Sequence, residues 1–284
     1  MAQSHARPAQ SVDEVVERMR AIGARLDPGD GIACFNRMHL RIAALVERRI
    51  AAGEVRDPAF VERLGVLLAN QYFDVLDAAE EGREVGDAWQ PLVDARDDRR
   101  VWPVQFAFAG TNAHLCHDLP LAVVETCIER RTTPDTPPVQ EDYVLVGELL
   151  VRAEAEERAG FEQRIAGVAA GAAEPLRHLV GAFSTARARE AAWAATLSLW
   201  HQRNIRPLFD ATLAAVTAGT ALAGRMLVTP VPVAAPEPVP GPGPVSVPGS
   251  GPVSVPGSGP VSVPGSGPVS DSAPAPGSGP SGAE

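Results

Sequence analysis

The distribution of proline and glycine divides this 284-residue chain into two very different parts. Sixteen of the 27 prolines and 11 of the 26 glycines lie in the last 55 positions, residues 230–284. A segment of this composition cannot bury enough apolar surface to offset the entropy that it would lose on ordering. We therefore expect a single folded domain over residues 11–229, a length that suits one hydrophobic core. Residues 1–10 are predicted to be a disordered N-terminus.

The C-terminal part contains an internal repeat. The octapeptide Gly-Pro-Val-Ser-Val-Pro-Gly-Ser occurs at 243–250, 251–258 and 259–266. Proline and glycine at fixed places favour an extended chain that is partly polyproline II. We predict that residues 230–284 form a disordered Pro/Gly/Ser/Val-rich tail that takes no part in the chemistry.

The charged residues disfavour several classes of function. All 25 cationic residues are arginine, and 35 acidic residues give the chain a formal net charge of −10. A chain without lysine has neither a Schiff-base lysine nor the lysine of a phosphate-binding P-loop. Because binding to nucleic acid depends on neutralising phosphates, the acidic balance predicts no nucleic-acid partner.

Cysteine usage and hydropathy predict a cytoplasmic protein. The three cysteines Cys34, Cys116 and Cys127 show no C-x-x-C spacing and lie in apolar helical patterns, as expected of reduced, buried thiols. The first thirty residues lack the apolar core of a signal peptide. The longest apolar run, residues 211–223, is too short to span a bilayer. Its small residues permit close helix packing, either within the chain or in a homo-oligomer.

Helical periodicity extends through the folded part, whereas strand patterns are lacking. Ser11-x-x-Glu14 forms a capping box, and Asp57-Pro58 supplies an N-cap followed by a proline at the first helical position. We therefore predict an all-α domain with a long polar loop at 82–103. The predicted helices cover residues 11–26, 32–52, 57–81, 104–130, 142–159, 161–172, 174–182, 184–204 and 207–226.

One stretch of sequence carries a resemblance to a known family. The run Pro103-Val-Gln-Phe-Ala-Phe-Ala-Gly-Thr-Asn-Ala-His-Leu-Cys-His-Asp-Leu-Pro-Leu121 is accompanied by Asn70-Gln-Tyr-Phe73, Ala88-Trp-Gln-Pro-Leu92, Asp142-Tyr143 and Ala188-Arg-Glu-Ala-Ala-Trp193. Together they resemble an uncharacterised bacterial and fungal domain-of-unknown-function family with an Asn-Ala-His-x-x-His-Asp-Leu hallmark. The resemblance covers about residues 30–229. It implies an all-helical domain and no established activity.

Within this stretch, three ionisable residues are expected to share one face of a helix. At about 100° per residue, His117 lies about −60° and Asp118 about +40° from His114. Pro120 has no N–H for the carbonyl of Cys116, and its ring clashes there, so the helix should kink between these two positions. A bent helix of this kind would form the wall of a pocket.

Two imidazoles and a carboxylate suit metal chemistry. The leading hypothesis is a divalent metal of the zinc type, bound by His114, Asp118 and His201, that lowers the pKa of a bound water. His117 and Glu190 are the predicted catalytic residues that move protons. The predicted reaction is metal-assisted hydrolysis of a small substrate such as a phosphoester.

The residues leave other interpretations open. Asn112 and Arg189 are the predicted substrate-binding residues, for a small-molecule substrate. The same cluster would serve a non-catalytic ligand-binding or accessory protein, or a metal-free biosynthetic enzyme with His117 and Asp118 as an acid/base pair. In a purely structural interpretation Asp118 is a helix cap and the histidines bond to carbonyls. His39, on an apolar helix stripe, is predicted to be a core residue with its hydrogen bonds satisfied.

Overall fold

The computed structural model describes residues 7–168 and 170–231. These residues contain helices and no strand, which confirms the predicted all-α class. The predicted tail, from residue 232 onward, and residues 1–6 lie outside the described residues. Within them the helices are α1 (Val12–Arg25), α2 (Gly31–Ala51), α3 (Pro58–Glu80), α4 (Gln90–Ala95), α5 (Pro103–Ala113), a π-helical turn (His114–Asp118), α6 (Leu119–Glu129), α7 (Pro137–Arg164), α8 (Ala170–Ala182), α9 (Thr185–Gln202) and α10 (Arg206–Leu227).

Capping side chains set where the first three helices begin. Ser11 Oγ accepts the N–H of Glu14 at 3.2 Å, and Asp57 caps α3 by accepting the N–H of Phe60 at 3.0 Å. Asp30 does the same for α2, with its Oδ1 2.7 Å from the N–H of Ile32. Each of these bonds satisfies a backbone donor that the first turn of a helix leaves free.

The structure corrects three of the predicted boundaries. The predicted polar loop contains the short helix α4, and its Trp89 and Leu92 are buried. The helix predicted at 142–159 is part of the longer α7, which continues through Gly160 to Arg164, and the separate helix predicted at 161–172 is not present, because the chain turns at 165–168 before α8 begins. At the N-terminus, Ala9 is buried and exchanges two backbone hydrogen bonds with the Asn70 amide, so the ordered chain begins before residue 11.

Helix α5 lies at the centre of the domain. Its residues 104–113 are all buried, as expected of a helix that is apolar on every side. It packs closely on α2 at two glycines: an added Cβ would come within 2.6 Å of Phe106 at Gly31 and within 2.4 Å of Phe35 at Gly110. The absence of a side chain at these positions brings the two helix backbones close together, so that side chains at the end of α5 reach residues of α2.

Two amides of α5 attach it to α10. Gln105 Nε2 donates to the carbonyls of Leu227 and Thr229, each at 2.8 Å, at the C-terminal end of α10. Asn112 Nδ2 donates to the carbonyl of Thr220 at 2.9 Å. Both amides are buried, and they satisfy carbonyls that the helix end and the packing would otherwise leave unpaired.

Among the described residues, no helix combines the length and the apolarity that crossing a membrane requires.

Candidate active site: a histidine pair and a carboxylate beside an apolar cavity

The helix is irregular immediately before Pro120, where residues 114–118 form a π-helical turn. The N–H of Leu119 donates to the carbonyl of His114, five residues earlier, instead of continuing the α-helical pattern. Pro120 follows with no N–H to offer Cys116. π-helical turns occur often at functional sites because they displace side chains from the regular helical positions.

The turn brings the imidazoles of His114 and His117 to the two oxygens of the Asp118 carboxylate. Asp118 Oδ1 lies 2.8 Å from Nδ1 of His117, and Asp118 Oδ2 lies 3.4 Å from Nδ1 of His114. Trp89 Nε1–H donates to the same Oδ2 at 2.9 Å, from the segment just before α4. Both oxygens of Asp118 therefore have hydrogen-bond partners within the protein. The cluster reaches from the interior to the surface, since the side chain of His114 is 6% exposed and that of His117 is 22% exposed.

The environment keeps Asp118 ionised. Burial by itself would raise the pKa of this carboxyl, but the hydrogen bonds from His114 and His117 outweigh it and hold the pKa below its ordinary value. An ionised carboxylate only accepts hydrogen bonds, so it favours a proton on the imidazole nitrogen that faces it. For His114 that nitrogen is Nδ1, so in the neutral imidazole the lone pair would lie on Nε2.

His39 of α2 packs against His114, a contact that the sequence did not predict. The two ring centroids lie 4.3 Å apart, and the rings of Phe35 and Tyr72 surround the pair. His39 Nδ1 and His114 Nε2 are both buried, and neither has a hydrogen-bond partner. The prediction that His39 has its hydrogen bonds satisfied is therefore wrong for Nδ1. Burial, together with the nearby His114, lowers the pKa of His39 well below its ordinary value.

Both histidines line a largely apolar cavity of about 130 Å³. A cavity of roughly 150 Å³ is large enough for a benzene molecule. The walls come mainly from α2, α3 and α7, and their side chains are mostly aliphatic, among them Ile42, Val46, Leu64, Leu68, Val146 and Leu150. The two histidine rings thus form part of the wall of a space that favours apolar molecules.

Arg189 of α9 also lines this cavity, where it is held against α7. Its guanidinium donates to the carbonyl of Tyr143 at 2.9 Å and lies 5.1 Å from the centre of the Tyr143 ring. Tyr143 Oη donates back to the carbonyl of Arg189 at 2.8 Å. The guanidinium occupies the space beside Gly147 that any larger residue would fill. The structure therefore places Arg189 in the wall of the cavity, as a cation with a fixed position.

Three other predicted site residues lie apart from both the cavity and the Asp118 cluster. Glu190 and His201 were expected to point into the interior from α9, but both side chains are exposed, because α9 buries its opposite face. Asn112 is buried, but it does not line the cavity, and its amide N–H is bound to Thr220. The predicted metal ligands His114, Asp118 and His201 are thus not assembled. Within residues 7–168 and 170–231, no group of three or more His, Cys, Asp or Glu side chains is arranged to hold a metal ion.

The environment of His39 leads to a testable pH dependence. A histidine that stays neutral in the folded protein but binds a proton on unfolding, with an ordinary pKa of 6.5, makes the protein less stable as the pH falls below that value. Between pH 7.5 and pH 5.5 this should lower the free energy of unfolding by about 1.4 kcal/mol. His39→Leu should remove that part of the pH dependence, as measured by urea unfolding at the two pH values. The exposed His201→Gln is the control and should keep the wild-type dependence; identical behaviour of His39→Leu and the wild type would contradict the prediction.

Comparison with known proteins identifies the family. No curated protein and no solved structure matches the chain. A family model does match, over residues 12–230, which covers the helical domain and the site described above. The chain therefore belongs to the family of unknown function DUF5995.

Proposed function

We propose that the protein is an enzyme that moves a proton on a small, mostly apolar substrate, with His114 as the general base. The observation that carries this proposal is the state of the two ring nitrogens of His114. Nδ1 faces the Asp118 carboxylate, whereas Nε2 is buried without a partner on a ring that lines the cavity. A carboxylate that holds a neutral imidazole in one tautomer is the usual way in which proteins prepare a histidine to accept a proton.

The surrounding residues support this role by holding Asp118 in place. Trp89 and His117 bind its two oxygens, so the carboxylate cannot turn away from His114. When His114 accepts a proton at Nε2, the positive charge that forms lies next to the negative charge of Asp118, which stabilises it in a site of low dielectric constant. Asp118 is thus a positioning residue, and His114 is the catalytic residue.

The geometry supports metal-assisted hydrolysis less well. In that mechanism Asp118 would bind the ion, but both of its oxygens already accept hydrogen bonds from the protein. His201, the predicted third ligand, is exposed on α9. Proton transfer requires only the pair formed by Asp118 and His114. Metal-assisted hydrolysis is the alternative from which the experiment below must distinguish it.

A small ketone tests the proposal without knowledge of the natural substrate. Cyclohexanone is similar in size to the cavity, and a base beside it should exchange its α-hydrogens for solvent deuterium. In D₂O, NMR should show exchange by the full-length protein roughly 100-fold or more above buffer, as expected of a positioned base. His114→Gln should lose this acceleration, and EDTA should leave it unchanged.

Each contrary result has a distinct meaning. If cyclohexanone binds, as shown by shifts of cavity methyl resonances, but does not exchange, the enzyme proposal is wrong and the non-catalytic ligand-binding alternative is favoured. If EDTA abolishes the exchange, the metal alternative is favoured. If cyclohexanone does not perturb the cavity at millimolar concentrations, the assignment of the cavity as the substrate site is wrong.

A further inference from the structure

Arg189 is a half-buried cation for which the described part of the chain offers no carboxylate at ion-pair distance. The six other arginines that are half-buried in the described residues each form an ion pair; they are Arg18, Arg49, Arg63, Arg96, Arg158 and Arg177. Acids are not scarce, since the chain has 35 of them for its 25 arginines. Because withdrawing a cation from water without a counter-ion is unfavourable, the environment of Arg189 suits a partner that comes from outside the chain.

The guanidinium of Arg189 lies at the wall of the apolar cavity. Its central carbon is 5.1 Å from the centre of the Tyr143 ring, and it fills the space where a side chain at Gly147 would begin. Tyr143, Gly147 and Arg189 all line the cavity. Nη2 of Arg189 donates to the carbonyl of Tyr143 at 2.9 Å, and Tyr143 Oη donates to the carbonyl of Arg189 at 2.8 Å. A cation held in this way loses little freedom when a ligand binds, which favours binding.

We infer that the counter-ion of Arg189 is the carboxylate of a small ligand whose apolar body lies in the cavity, such as a cyclic or short-chain aliphatic acid. The inference rests on the proposed function, because it takes the cavity as the substrate site, and it names the class of the substrate. The free donors of the guanidinium determine the charged group of this ligand, and the walls of the cavity determine its body.

The donors of Arg189 match a carboxylate. A guanidinium carries five N–H groups, and in Arg189 the carbonyl of Tyr143 accepts from Nη2. The remaining donors can bind both oxygens of a carboxylate in the two-pronged geometry that arginine favours. One guanidinium neutralises one carboxylate, whereas a phosphate monoester carries about two negative charges at neutral pH. Among the described residues that line the cavity Arg189 is the only arginine, and the chain has no lysine, so the single charge of a carboxylate fits better.

Three acidic residues also line the cavity, but they do not occupy Arg189. Both oxygens of Asp142 accept backbone N–H groups, those of Arg56 and Asp57, each at 2.8 Å. Glu47 and Glu62 are exposed, so that water and salt screen their charges. The acids of the wall therefore leave the guanidinium available to a ligand.

The walls determine the body of the ligand. They are mainly aliphatic, and the volume of about 130 Å³ suits a ring or chain of about the size of benzene. The ionised Asp118 is not among the residues that line the cavity, so a carboxylate held at Arg189 does not meet it there. A six-carbon ring that bears one carboxylate has both the size and the charge that this site requires.

A pair of ligands that differ in charge tests the inference. Cyclohexanecarboxylate and cyclohexanecarboxamide have the same ring and nearly the same shape, but only the first is charged at neutral pH. In titrations of the full-length protein followed by calorimetry or NMR, the carboxylate should bind about tenfold or more tightly than the carboxamide, because hydrogen bonds between charged groups are about twice as strong as neutral ones. Nuclear Overhauser contacts between the C1 proton of the bound carboxylate and the Tyr143 ring should locate it beside Arg189 without any substitution.

A substitution of Arg189 provides the second measurement. In Arg189→Met the preference for the carboxylate should fall to about twofold or less while the carboxamide still binds, because methionine keeps an unbranched apolar chain and removes the charge. Binding of the carboxamide also reports that the variant is folded. Arg187→Met changes an exposed position of the same helix, and this matched control should keep the wild-type preference.

Four results would overturn the inference. They are equal affinity for the carboxylate and the carboxamide in the wild type, tighter binding of cyclohexyl phosphate than of the carboxylate, absence of contacts with the Tyr143 ring, and an unchanged preference in folded Arg189→Met. These outcomes are separable from failure of the proposed function. A clear preference for the carboxylate without deuterium exchange in cyclohexanone would leave a carboxylate-binding protein that is not an enzyme. Exchange without this preference would contradict only the carboxylate assignment.

Discussion

Gly110→Ala should lower the free energy of unfolding by about 3 kcal/mol, the upper range for overpacking a core. The added methyl group would lie 2.4 Å from Cγ of Phe35, which is too close for any contact. Phe35 cannot move away easily, because it is 2% exposed and the rings of Tyr72, Trp89 and His114 enclose it. Either α2 separates from α5, or the Phe35 ring turns toward the cavity. Urea unfolding measures the loss.

Gly219→Ala is the matched control for this prediction. Gly219 lies inside α10, and an added Cβ would meet no atom within 4 Å. Alanine there should stabilise the protein by up to about 1 kcal/mol, because glycine is the poorer helix former. If Gly110→Ala were as stable as the wild type, the close approach of α2 and α5 would be wrong, and with it the contact between His39 and His114.

Asp118→Asn should reduce deuterium exchange in cyclohexanone roughly 100-fold. The amide has one acceptor oxygen in place of two, so at least one of the donors from Trp89, His114 and His117 loses its partner. The amide also no longer favours the proton on Nδ1 of His114. With the proton on Nε2, His114 cannot act as a base.

A purely structural role of Asp118 would not require a particular tautomer of His114. The second measurement is therefore ¹⁵N NMR of the imidazoles, which reports which ring nitrogen carries the proton. In the wild type we expect Nε2 of His114 to be unprotonated, and in Asp118→Asn we expect the proton to move to Nε2. Asp210→Asn, which affects only an exposed ion pair with Arg206, should change neither the rate nor the spectrum. An unchanged rate in Asp118→Asn would refute the assigned role of the carboxylate.

The local parts of this structure were predictable from the sequence. Ser11 and Asp57 fix helix starts by accepting the N–H three residues later, Pro58 favours a helix start through its fixed φ, and Pro120 disrupts the helix through its own missing N–H. The grouping of His114 with Asp118 follows from helical geometry in the same way. Such features need no knowledge of the rest of the fold.

The remaining features depend on contacts between distant segments. His39 meets His114, 75 positions later, because α2 packs on α5. Trp89 bonds to Asp118 from the segment before α4, and the ion pair of Arg96 with Asp30 helps to hold that segment. In the sequence, the feature that pointed to a contact with His114 was the position of His39 in the middle of the apolar stripe of α2. A stripe with a polar residue at its centre indicates a lined cavity as well as a packed core.

Helix α9 shows why periodicity alone was misleading. Glu190 and His201 do share one side of the helix, as their spacing predicts. Periodicity does not say which side meets the protein, and here Ala192, Thr196 and Leu199 take the buried side. Only the neighbouring helices decide between the two orientations.

The π-helical turn makes the site depend on helical register to within a single residue. If one residue were deleted from 114–118, the chain could close with ordinary α-helical bonds, and the two flanking helices would turn by about 100° relative to each other. The face of α5 that packs on α2 and the face of α6 that packs on α9 could then not both meet their partners. In the evolution of such a chain, a single insertion into an uninterrupted helix is therefore enough to create this arrangement, and a single deletion is enough to erase it while the helices themselves persist.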